Sequence, residues 1–584
     1  MKNFKLLFMM AMITVLSVVL VACADDSDVE PEADTEEGAA TETEEGTEDT
    51  SGEGSEDATG EGSGGGDLVI SEASDIVSLD PHGNNDVPSS NVRNNIYETL
   101  TYLDEDMEVQ PRLSTEWEEI DDTTWEFTLK EGVTFHDGTE FNAEVVEANL
   151  ERVIDPAVAS PRMFLYEMVT GVEAVDDYTV QITLEYPFAP ILAHLAHDAG
   201  GMISKDVIDA DYEAALSEAG EEMSVEDYYA LRDEGGEEHE EVADAITEET
   251  GNHIADNPVG TGPFEFESRA AGENVVLANN ADYHDEENAA QLDTVTFKVV
   301  PETAARLAEI ETGASHVAGG AEPTNIDRME QHDATEVDLT PSLGLSYVGF
   351  NVEQEPLDDP LVRQAISHAI DREAIIDGIY EGVGTPAEGP LAPGVFGYDE
   401  DVSGITYDLE RAQELMAEAG HEDGFELEIL TNDQPQRVDT AIYMQEALAE
   451  LNIDVSVQQL EWGAYLETTA NGDHDMFVLG WSTVTGDADY GLYALLHSSM
   501  HGDPGNRSFL SNDNVDELLE AGRTETDPDA RQEIYSELQE GLVDVAPMIY
   551  IHHQDFVTGV NSNVENFVID ALGIYQLRET TISE

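Results

Sequence analysis

The stretch Ser346–Gly382, SYVGFNVEQEPLDDPLVRQAISHAIDREAIIDGIYEG, carries a strand, a turn and two helix signals in succession. After the turn at Pro356, Asp358–Asp359–Pro360 offers a carboxylate N-cap with proline at the first helical position, where its missing N–H costs nothing. Asp371 can cap a second helix. The apolar residues recur at the spacing of one buried helical face: Val362, Ala365, Ile366, Ala369 and Ile370, then Ile375, Ile376 and Ile379.

A second pattern lies further along the chain, between residues 425 and 480. Alternating apolar residues predict strands near 425–429 and 453–457, and a continuous apolar run predicts a third strand over Asp475–Gly480. The segments between them have helical spacing, with Ala441, Met444, Leu448 and Leu451 in the first and Tyr465–Ala470 in the second. Strands alternating with helices at these lengths predict an α/β fold with a parallel, doubly wound sheet.

Ligands of such sheets bind beyond the carboxyl ends of the strands. Two loops are therefore candidate site segments, Thr431–Arg437 and Trp481–Tyr490. The Arg437 guanidinium suits a carboxylate, and a surface salt bridge is its alternative. Trp481 suits either a cleft or a core. Asp487 and Asp489 are candidates for binding a ligand ammonium group, and simple solvation is their alternative.

The order GFN, PLDD, VRQAI, AIDRE and IIDGIYEGVGTPAEGPL resembles the solute-binding proteins of peptide-importing ABC transporters. Further matches are GVTFHDGTEFN at Gly132, NPVGTGPFEF at Asn257 and RQEIYSELQEGLVDVAPMIYIH at Arg531, so the resemblance covers roughly Asp67 to Leu577. It implies a two-lobed periplasmic-binding-protein-like fold (type II), with doubly wound sheets and an extra subdomain in the first lobe. The predicted lobes are 67–342 plus 555–584 and 343–554, and an acidic surface insertion of helices is predicted at about 206–256.

The resemblance also implies roles for residues. In dipeptide binders of this family an arginine in the first loop holds the peptide carboxylate, and Arg437 matches it. An aspartate three residues after a Gly-Trp pair holds the peptide amino group, but Val484 stands there and Asp487 is the substitute candidate. The form GWSTVTGDADYGLYALLHSS is more similar to the glutathione-binding branch. The predicted ligand-binding residues are Arg437, Trp481, Thr485, Asp487, Asp489, Tyr490 and Asn506.

The N-terminus reads as a lipoprotein signal. Lys2 and Lys5 precede an apolar run that is too short for a stable span and ends in a sequence resembling a lipobox, with Cys23 as the only cysteine. We predict a signal peptide at 1–22 and a lipid anchor at Cys23 on the extracytoplasmic face of the cell membrane. An ordinary cleaved signal with an incidental cysteine is the alternative. Residues 23–66, acidic and nearly free of apolar side chains, predict a disordered tether.

The formal charge of the chain is −109, with 130 acidic and 21 basic residues. This charge excludes nucleic-acid binding as a leading function. Repulsion among so many carboxylates opposes compaction at ordinary ionic strength, whereas the Debye length falls to roughly 3 Å at 1 M salt. We therefore predict a halophilic protein. The rival interpretation is an acidic surface that captures cations or a basic partner.

The leading functional hypothesis is a non-enzymatic receptor, without a cofactor and monomeric, that closes around a peptide and delivers it to an ABC permease. General peptides and glutathione both remain open as ligands. An extracellular hydrolase is the second class, although no Gly-x-Ser-x-Gly, His-Glu-x-x-His or cysteine nucleophile supports it. Nickel or metal-chelate binding is the third, for which His552–His553 is a weak candidate because neighbours on a strand point to opposite faces.

Overall fold

The computed structural model describes residues 65–503 and 505–583. The predicted signal peptide, the predicted lipidation site at Cys23 and nearly all of the predicted tether lie outside these residues. We call residues 67–342 together with 555–583 the first lobe and residues 343–554 the second lobe. These boundaries stay a prediction. None of the helices in the described part of the chain has the length and apolar character needed to cross a bilayer.

The secondary structure alternates throughout the described residues. The strands are β1 (Asp67–Glu72), β2 (Thr101–Leu103), β3 (Val109–Pro111), β4 (Ser114–Asp121), β5 (Thr124–Leu129), β6 (Val169–Asp176), β7 (Thr179–Leu184), β8 (Phe264–Ala270), β9 (Asn274–Asn279), β10 (Thr294–Val299), β11 (Val317–Ala318), β12 (Thr335–Phe350), β13 (Thr385–Pro386), β14 (Glu426–Thr431), β15 (Asp454–Gln459), β16 (Met476–Ser482), β17 (Met548–Asn561), β18 (Val564–Glu565), β19 (Val568–Ile569), β20 (Tyr575–Gln576) and β21 (Thr581–Ile582).

The helices are α1 (Val87–Ile96), α2 (Ala143–Val153), α3 (Ile191–His194), α4 (Lys205–Ala219), α5 (Val225–Glu234), α6 (Glu237–Ile246), α7 (Asn252–Asp256), α8 (Thr303–Thr312), α9 (Ile326–Glu330), α10 (Pro360–His368), α11 (Arg372–Ile379), α12 (Leu409–Glu418), α13 (Pro435–Leu448), α14 (Trp462–Ala470), α15 (Ala488–Leu496), α16 (Asp513–Thr524) and α17 (Pro528–Val545). The pair α10 and α11 begins as predicted. Asp359 accepts a hydrogen bond from the Leu361 amide, and Asp371 accepts one from the Ala374 amide. Caps of this kind stabilise a helix by about 1 kcal/mol.

The second-lobe sheet is doubly wound, as predicted. Strands β15 and β16 both pair parallel with β14, and β12 pairs antiparallel with β16. Alternate residues of β16 enter different cores: Met476 and Val478 pack on one face, whereas Phe477 and Leu479 pack on the other. Because side chains alternate along a strand, helices must cover both faces of this sheet.

One continuous sheet joins the two lobes. Its strand order is β15-β14-β16-β12-β17-β11-β1-β10-β9-β8, so the long strands β12 and β17 lie in the middle. Their antiparallel register shifts between Pro341 and Leu345, at the predicted boundary between the lobes. A separate four-stranded sheet, β4-β5-β7-β6, forms the first-lobe subdomain with α2 packed against it. The predicted α/β, two-lobed architecture is confirmed.

The acidic insertion is helical, as predicted, and consists mainly of α4 to α7. The prediction describes a surface insertion, and the structure adds a buried inner side. Tyr212 and Tyr228 are fully buried in the first-lobe core, and their hydroxyls donate to the buried Asp155 carboxylate at 2.8 and 3.0 Å. The many acidic residues of the segment lie mostly on its outer face. Its apolar and aromatic inner face is too small a part of the composition to be predicted from it.

A buried arginine ties the insertion to the rest of the first lobe. Arg152 on α2 lies within 2.8 Å of an Asp80 carboxylate oxygen and within 3.2 Å of an Asp211 oxygen, and all three side chains are buried. Asp80 belongs to the loop after β1, whereas Asp211 belongs to the insertion. One guanidinium therefore connects three segments that are distant in the sequence.

Candidate functional site

The carboxyl ends of β14, β15 and β16 lie at one edge of the second-lobe sheet, because the strands run parallel. A helix begins shortly after each strand. Pro435 occupies the first turn of α13, and the side chains of Glu461 and Asp487 cap α14 and α15 by accepting backbone N–H bonds. The chain thus passes from strand to helix three times at this edge of the sheet, and side chains from all three connecting loops lie there.

Arg437 lies in the first turn of α13, on this edge. Its guanidinium stands 5.5 Å from the centre of the Trp462 ring and donates one hydrogen bond, of 3.3 Å, to the Asn432 side-chain oxygen. Within residues 65–503 and 505–583, no carboxylate oxygen lies within 4.0 Å of an Arg437 guanidinium nitrogen, which is the distance limit for a salt bridge. The alternative of a surface ion pair is therefore wrong for the described residues. The fork retains an uncompensated charge and free donors, which suit a ligand carboxylate.

Three aromatic side chains continue the edge toward the first lobe, and we call Trp481, Tyr490 and Phe164 the aromatic row. The Trp481 and Tyr490 rings are 5.7 Å apart, and Tyr490 lies 6.0 Å from Phe164 of the first lobe. Burial raises the pKa of the Tyr490 hydroxyl, and the adjacent Arg162 guanidinium opposes that rise. The row thus places Arg162 of the first lobe beside the first turn of α15 in the second lobe.

First-lobe residues also cover the loop that follows β16. The hairpin of β2 and β3 packs its Leu103 and Met107 side chains against the core of the second lobe. Gly486 lies beneath them with a φ of 68°, and a Cβ atom there would come within 2.8 Å of the Met107 methyl carbon. Glycine suits this left-handed backbone, and a larger residue would also require the Met107 side chain to move. The candidate site therefore lies between the lobes.

Several buried polar atoms at this edge lack a hydrogen-bond partner within the part of the chain that the structure describes. They are the Trp481 indole nitrogen and the hydroxyl oxygens of Thr431 and Thr485. Thr431 ends β14, whereas Trp481 and Thr485 belong to β16 and the loop after it. Buried polar groups are normally paired, so this group calls for partners from solvent or a ligand.

Residues 108–503 match the profile of bacterial extracellular solute-binding proteins, family 5 Middle. The chain belongs to this family. It is 30% identical over 512 residues to the glutathione-binding protein GsiB of Escherichia coli (strain K12), covering 86% of this chain and 92% of that relative. Together with the α/β fold, this match confirms the predicted resemblance.

Solved structures of similar proteins agree with the family 5 assignment. The periplasmic binding protein DppA from Helicobacter pylori, in complex with peptide STSA, is 29% identical, with a TM-score of 0.69 over 89% of this chain and 99% of that chain. HbpA2 from Haemophilus parasuis is 26% identical, with a TM-score of 0.76 over 89% of this chain and 100% of that chain. The likeness therefore spans both lobes.

The two aspartates predicted to bind a ligand ammonium group are each paired with an arginine of the protein itself. Both oxygens of Asp487 accept hydrogen bonds of 2.6 Å from Arg531, and Asp487 is only 4% exposed. Asp489 accepts bonds of 2.9 and 3.0 Å from Arg523. Burial alone would lower the pKa of the Arg531 guanidinium. The Asp487 carboxylate beside it instead keeps that pKa above its usual value. Each aspartate holds a neighbouring helix, α17 or α16, and we correct their predicted role to a structural one.

Asn506 is likewise structural. It is fully buried, donates to the carbonyl oxygens of Leu496, His497 and Leu510, and accepts a hydrogen bond from the Leu510 amide. These bonds use its amide group within the protein, so its predicted contact with a ligand is not supported. Arg437, Trp481, Thr485 and Tyr490 are the predicted residues that the structure brings to the interlobe edge.

The adjacent histidines of β17 do not form a metal centre in the described residues. His552 is fully buried against the Tyr380 ring at 4.1 Å, and His553 lies 3.2 Å from the Gly344 carbonyl oxygen. Burial lowers the pKa of each imidazole to about 4. Within 65–503 and 505–583, no group of three or more His, Cys, Asp or Glu side chains is placed to hold a metal ion.

Two side chains at the edge, Trp462 and Arg162, are not among the residues predicted from the sequence. Trp462, 43% exposed, follows β15 directly, and the rule that selected the loops after β14 and β16 also applies to it. Arg162 carries no such signal, because it belongs to the other lobe and reaches the site only through the fold.

Proposed function

We propose that this chain is an extracytoplasmic receptor that captures peptides between its lobes and delivers them to an ABC import permease. The observation that carries the proposal is the uncompensated Arg437 guanidinium on the interlobe edge. In a chain with 130 acidic and 21 basic residues, an arginine that has neither a carboxylate partner nor more than one hydrogen bond among the described residues is conspicuous. A peptide carboxylate in its fork would form charge-assisted hydrogen bonds in a geometry that suits both groups.

The surroundings of Arg437 support a peptide ligand. The Trp462 ring offers a flat apolar face beside the charge. Along the same edge, the Thr431 and Thr485 hydroxyls and the Trp481 nitrogen have no partner among the described residues and offer donors and acceptors for peptide groups. The similarity to a DppA in complex with a peptide, and to a relative named glutathione-binding, favours the same ligand class. Closure of two lobes around such a ligand would exclude water and present one shape to a permease.

Calorimetric titration in molar salt tests the proposal. Tri-alanine and its C-terminal amide are titrated into the wild type and into Arg437→Ala. A hydrogen bond to a charged group contributes about 1.5–3 kcal/mol, so the variant should bind the free acid roughly 10- to 150-fold more weakly. The amide should bind both proteins weakly.

Arg411→Ala serves as the matched control, because Arg411 is a half-buried arginine away from the site whose partners lie on its own helix α12. It should leave the affinity for both peptides unchanged. Equal affinity of the wild type for the acid and the amide would contradict the assignment of Arg437 as the carboxylate site.

We propose no catalytic step for this receptor. The relatives found are named as binding proteins, which supports this proposal. Prolonged incubation with peptides followed by mass analysis tests it directly. Recovery of intact peptide is expected. Cleavage over many turnovers per protein molecule would favour the hydrolase hypothesis instead.

We further propose that Cys23 carries the lipid anchor. A single acyl chain holds a membrane only marginally, so a durable tether requires more than one. The acidic residues 23–66 would then separate the receptor from the bilayer by mutual repulsion. A monomer is the simplest assembly for such a receptor, and sedimentation in molar salt tests it.

A further inference from the structure

Arg162 is the second arginine at the interlobe edge that the protein does not neutralise. Its Nη2 atom donates one long hydrogen bond, of 3.4 Å, to the Asn85 carbonyl oxygen, and its buried Nε atom has no partner among the described residues. Within residues 65–503 and 505–583, no carboxylate lies within salt-bridge distance of it. Its other polar neighbour is the Tyr490 hydroxyl of the second lobe, whereas among the described residues Arg437 donates only to Asn432.

Other arginines without a carboxylate partner show what a structural role looks like in this protein. Arg306 donates to three carbonyl oxygens and one hydroxyl, and Arg363 donates to four carbonyl oxygens. Their forks are filled by the fold. Arg269 donates to two carbonyl oxygens and, like Arg162, has a buried Nε atom without a partner among the described residues. The Arg162 fork has the Asn85 carbonyl oxygen and the Tyr490 hydroxyl as partners and keeps further donors unused.

The two unfilled forks flank one surface from opposite lobes. Arg437 approaches Gly480, where a Cβ atom would lie 3.6 Å from its Nη2 atom, and Trp481 comes next in the chain. Trp481 contacts Tyr490, and Tyr490 lies beside Arg162. The aspartates of the same loop are neutralised by Arg523 and Arg531. Arg162 thus lies at one end of the aromatic row, and Arg437 lies near the strand that leads into the other end. The two aspartates that follow this strand are already paired with arginines.

We propose that Arg162 binds a second carboxylate of the ligand, so that the receptor selects peptides with two carboxylates. This inference rests on the proposed peptide-binding function. The C-terminal carboxylate would bind Arg437 of the second lobe, and a side-chain or γ-glutamyl α-carboxylate would bind Arg162 of the first. Each lobe then holds one charge, so the dianionic ligand stabilises the contact between the lobes. Local cations also let a chain of net charge −109 accept an anion.

Matched ligand pairs isolate the second carboxylate. Glutathione is compared with 4-aminobutyryl-cysteinyl-glycine, which lacks only the glutamyl α-carboxylate. Glu-Ala-Ala and Ala-Glu-Ala are compared with their glutamine counterparts. Each ligand is titrated in molar salt into the full chain, as the wild type, Arg162→Gln, Arg162→Lys and Arg411→Gln. Circular dichroism spectra verify that the variants are folded.

In the wild type, at least one dicarboxylate should bind ~10- to 150-fold more tightly than its matched partner. Arg162→Gln should reduce that ratio to about one while the monocarboxylate partner keeps its affinity. Arg162→Lys, which keeps the charge without the fork, should restore part of the ratio. Arg411→Gln removes the same charge elsewhere and should leave the ratio unchanged.

Two outcomes overturn the inference. If Arg162 only joins the lobes through Tyr490 of the second lobe, Arg162→Gln weakens every ligand equally and the ratio persists. If the wild type binds the peptides without any preference within a pair, the second carboxylate has no site, although the peptide-receptor function stands. A wild type that binds none of these peptides would instead overturn the proposed function itself.

Discussion

Asp487→Asn separates a structural aspartate from a ligand-binding one. Asparagine caps a helix about as well as aspartate does, so the cap of α15 persists and only the charge is lost. The Arg531 guanidinium then remains buried, with its side chain 6% exposed, without its anion. Breaking a buried ion pair by removing one partner costs about 3–5 kcal/mol. We expect a loss of stability of this size.

Urea unfolding in molar salt measures the loss, because urea leaves the ionic strength constant. A chain with two lobes need not unfold in one step, so circular dichroism and tryptophan fluorescence are recorded together. Asp408→Asn is the matched control: Asp408 caps α12 in the same way but is exposed and has no arginine partner among the described residues. Its variant should lie within about 0.5 kcal/mol of the wild type.

A ligand arm completes the experiment. Tri-alanine and its N-acetylated form are titrated into Asp487→Asn under conditions where it is folded. The variant should not discriminate between them more than the wild type does. An unchanged unfolding midpoint, together with a selective loss of affinity for the free amine, would refute the structural role and restore Asp487 as the ammonium partner.

Three further predictions concern salt, the membrane and pH. The melting temperature should rise steeply from low to molar salt, because screening removes carboxylate repulsion; a flat series would contradict the halophilic interpretation. Cys23→Ser should release the protein from membranes or leave an uncleaved precursor, and unchanged partitioning into detergent would contradict the anchor. Burial raises the pKa of Glu72 to about 7 from 4.5, so the folded state holds its proton more tightly than the unfolded state. Its contribution to stability is therefore present below about pH 4.5 and lost as the pH rises through about 7, by up to about 3 kcal/mol. Glu72→Gln should remove this component, and a wild-type-minus-variant stability difference that does not change with pH would refute it.

Local patterns were sufficient to predict the second-lobe sheet. The period-2 alternation of β14 and β15 and the short apolar run of β16 depend on neighbours a few residues away, and the fold conforms to them. Arg437 followed from the rule for carboxyl ends of parallel strands. The same rule applied to β15 points to Trp462.

The partners of buried charged groups cannot be predicted from local sequence patterns. Asp487 pairs with Arg531, 44 residues away, and a sequence shows that a buried carboxylate needs a cation without showing which one. Asn506 was mistaken for a ligand contact for a similar reason, since its partners are carbonyl groups that every residue carries. Arg162 reaches the aromatic row from the other lobe, and only the three-dimensional arrangement reveals it.

The Arg152 cluster constrains how this chain can change over evolutionary time. Deleting residues 206–256 would remove Asp211 and expose the apolar core beneath α4, and it would leave Asp80 as the remaining carboxylate near a buried guanidinium. The insertion is therefore not an appendage that can be trimmed while the receptor is preserved. A descendant that shortened this segment would need compensating replacements at Arg152 and around Tyr212 and Asp155. The gain and loss of the insertion should thus be coupled to the identity of a residue on α2, more than fifty positions away from it.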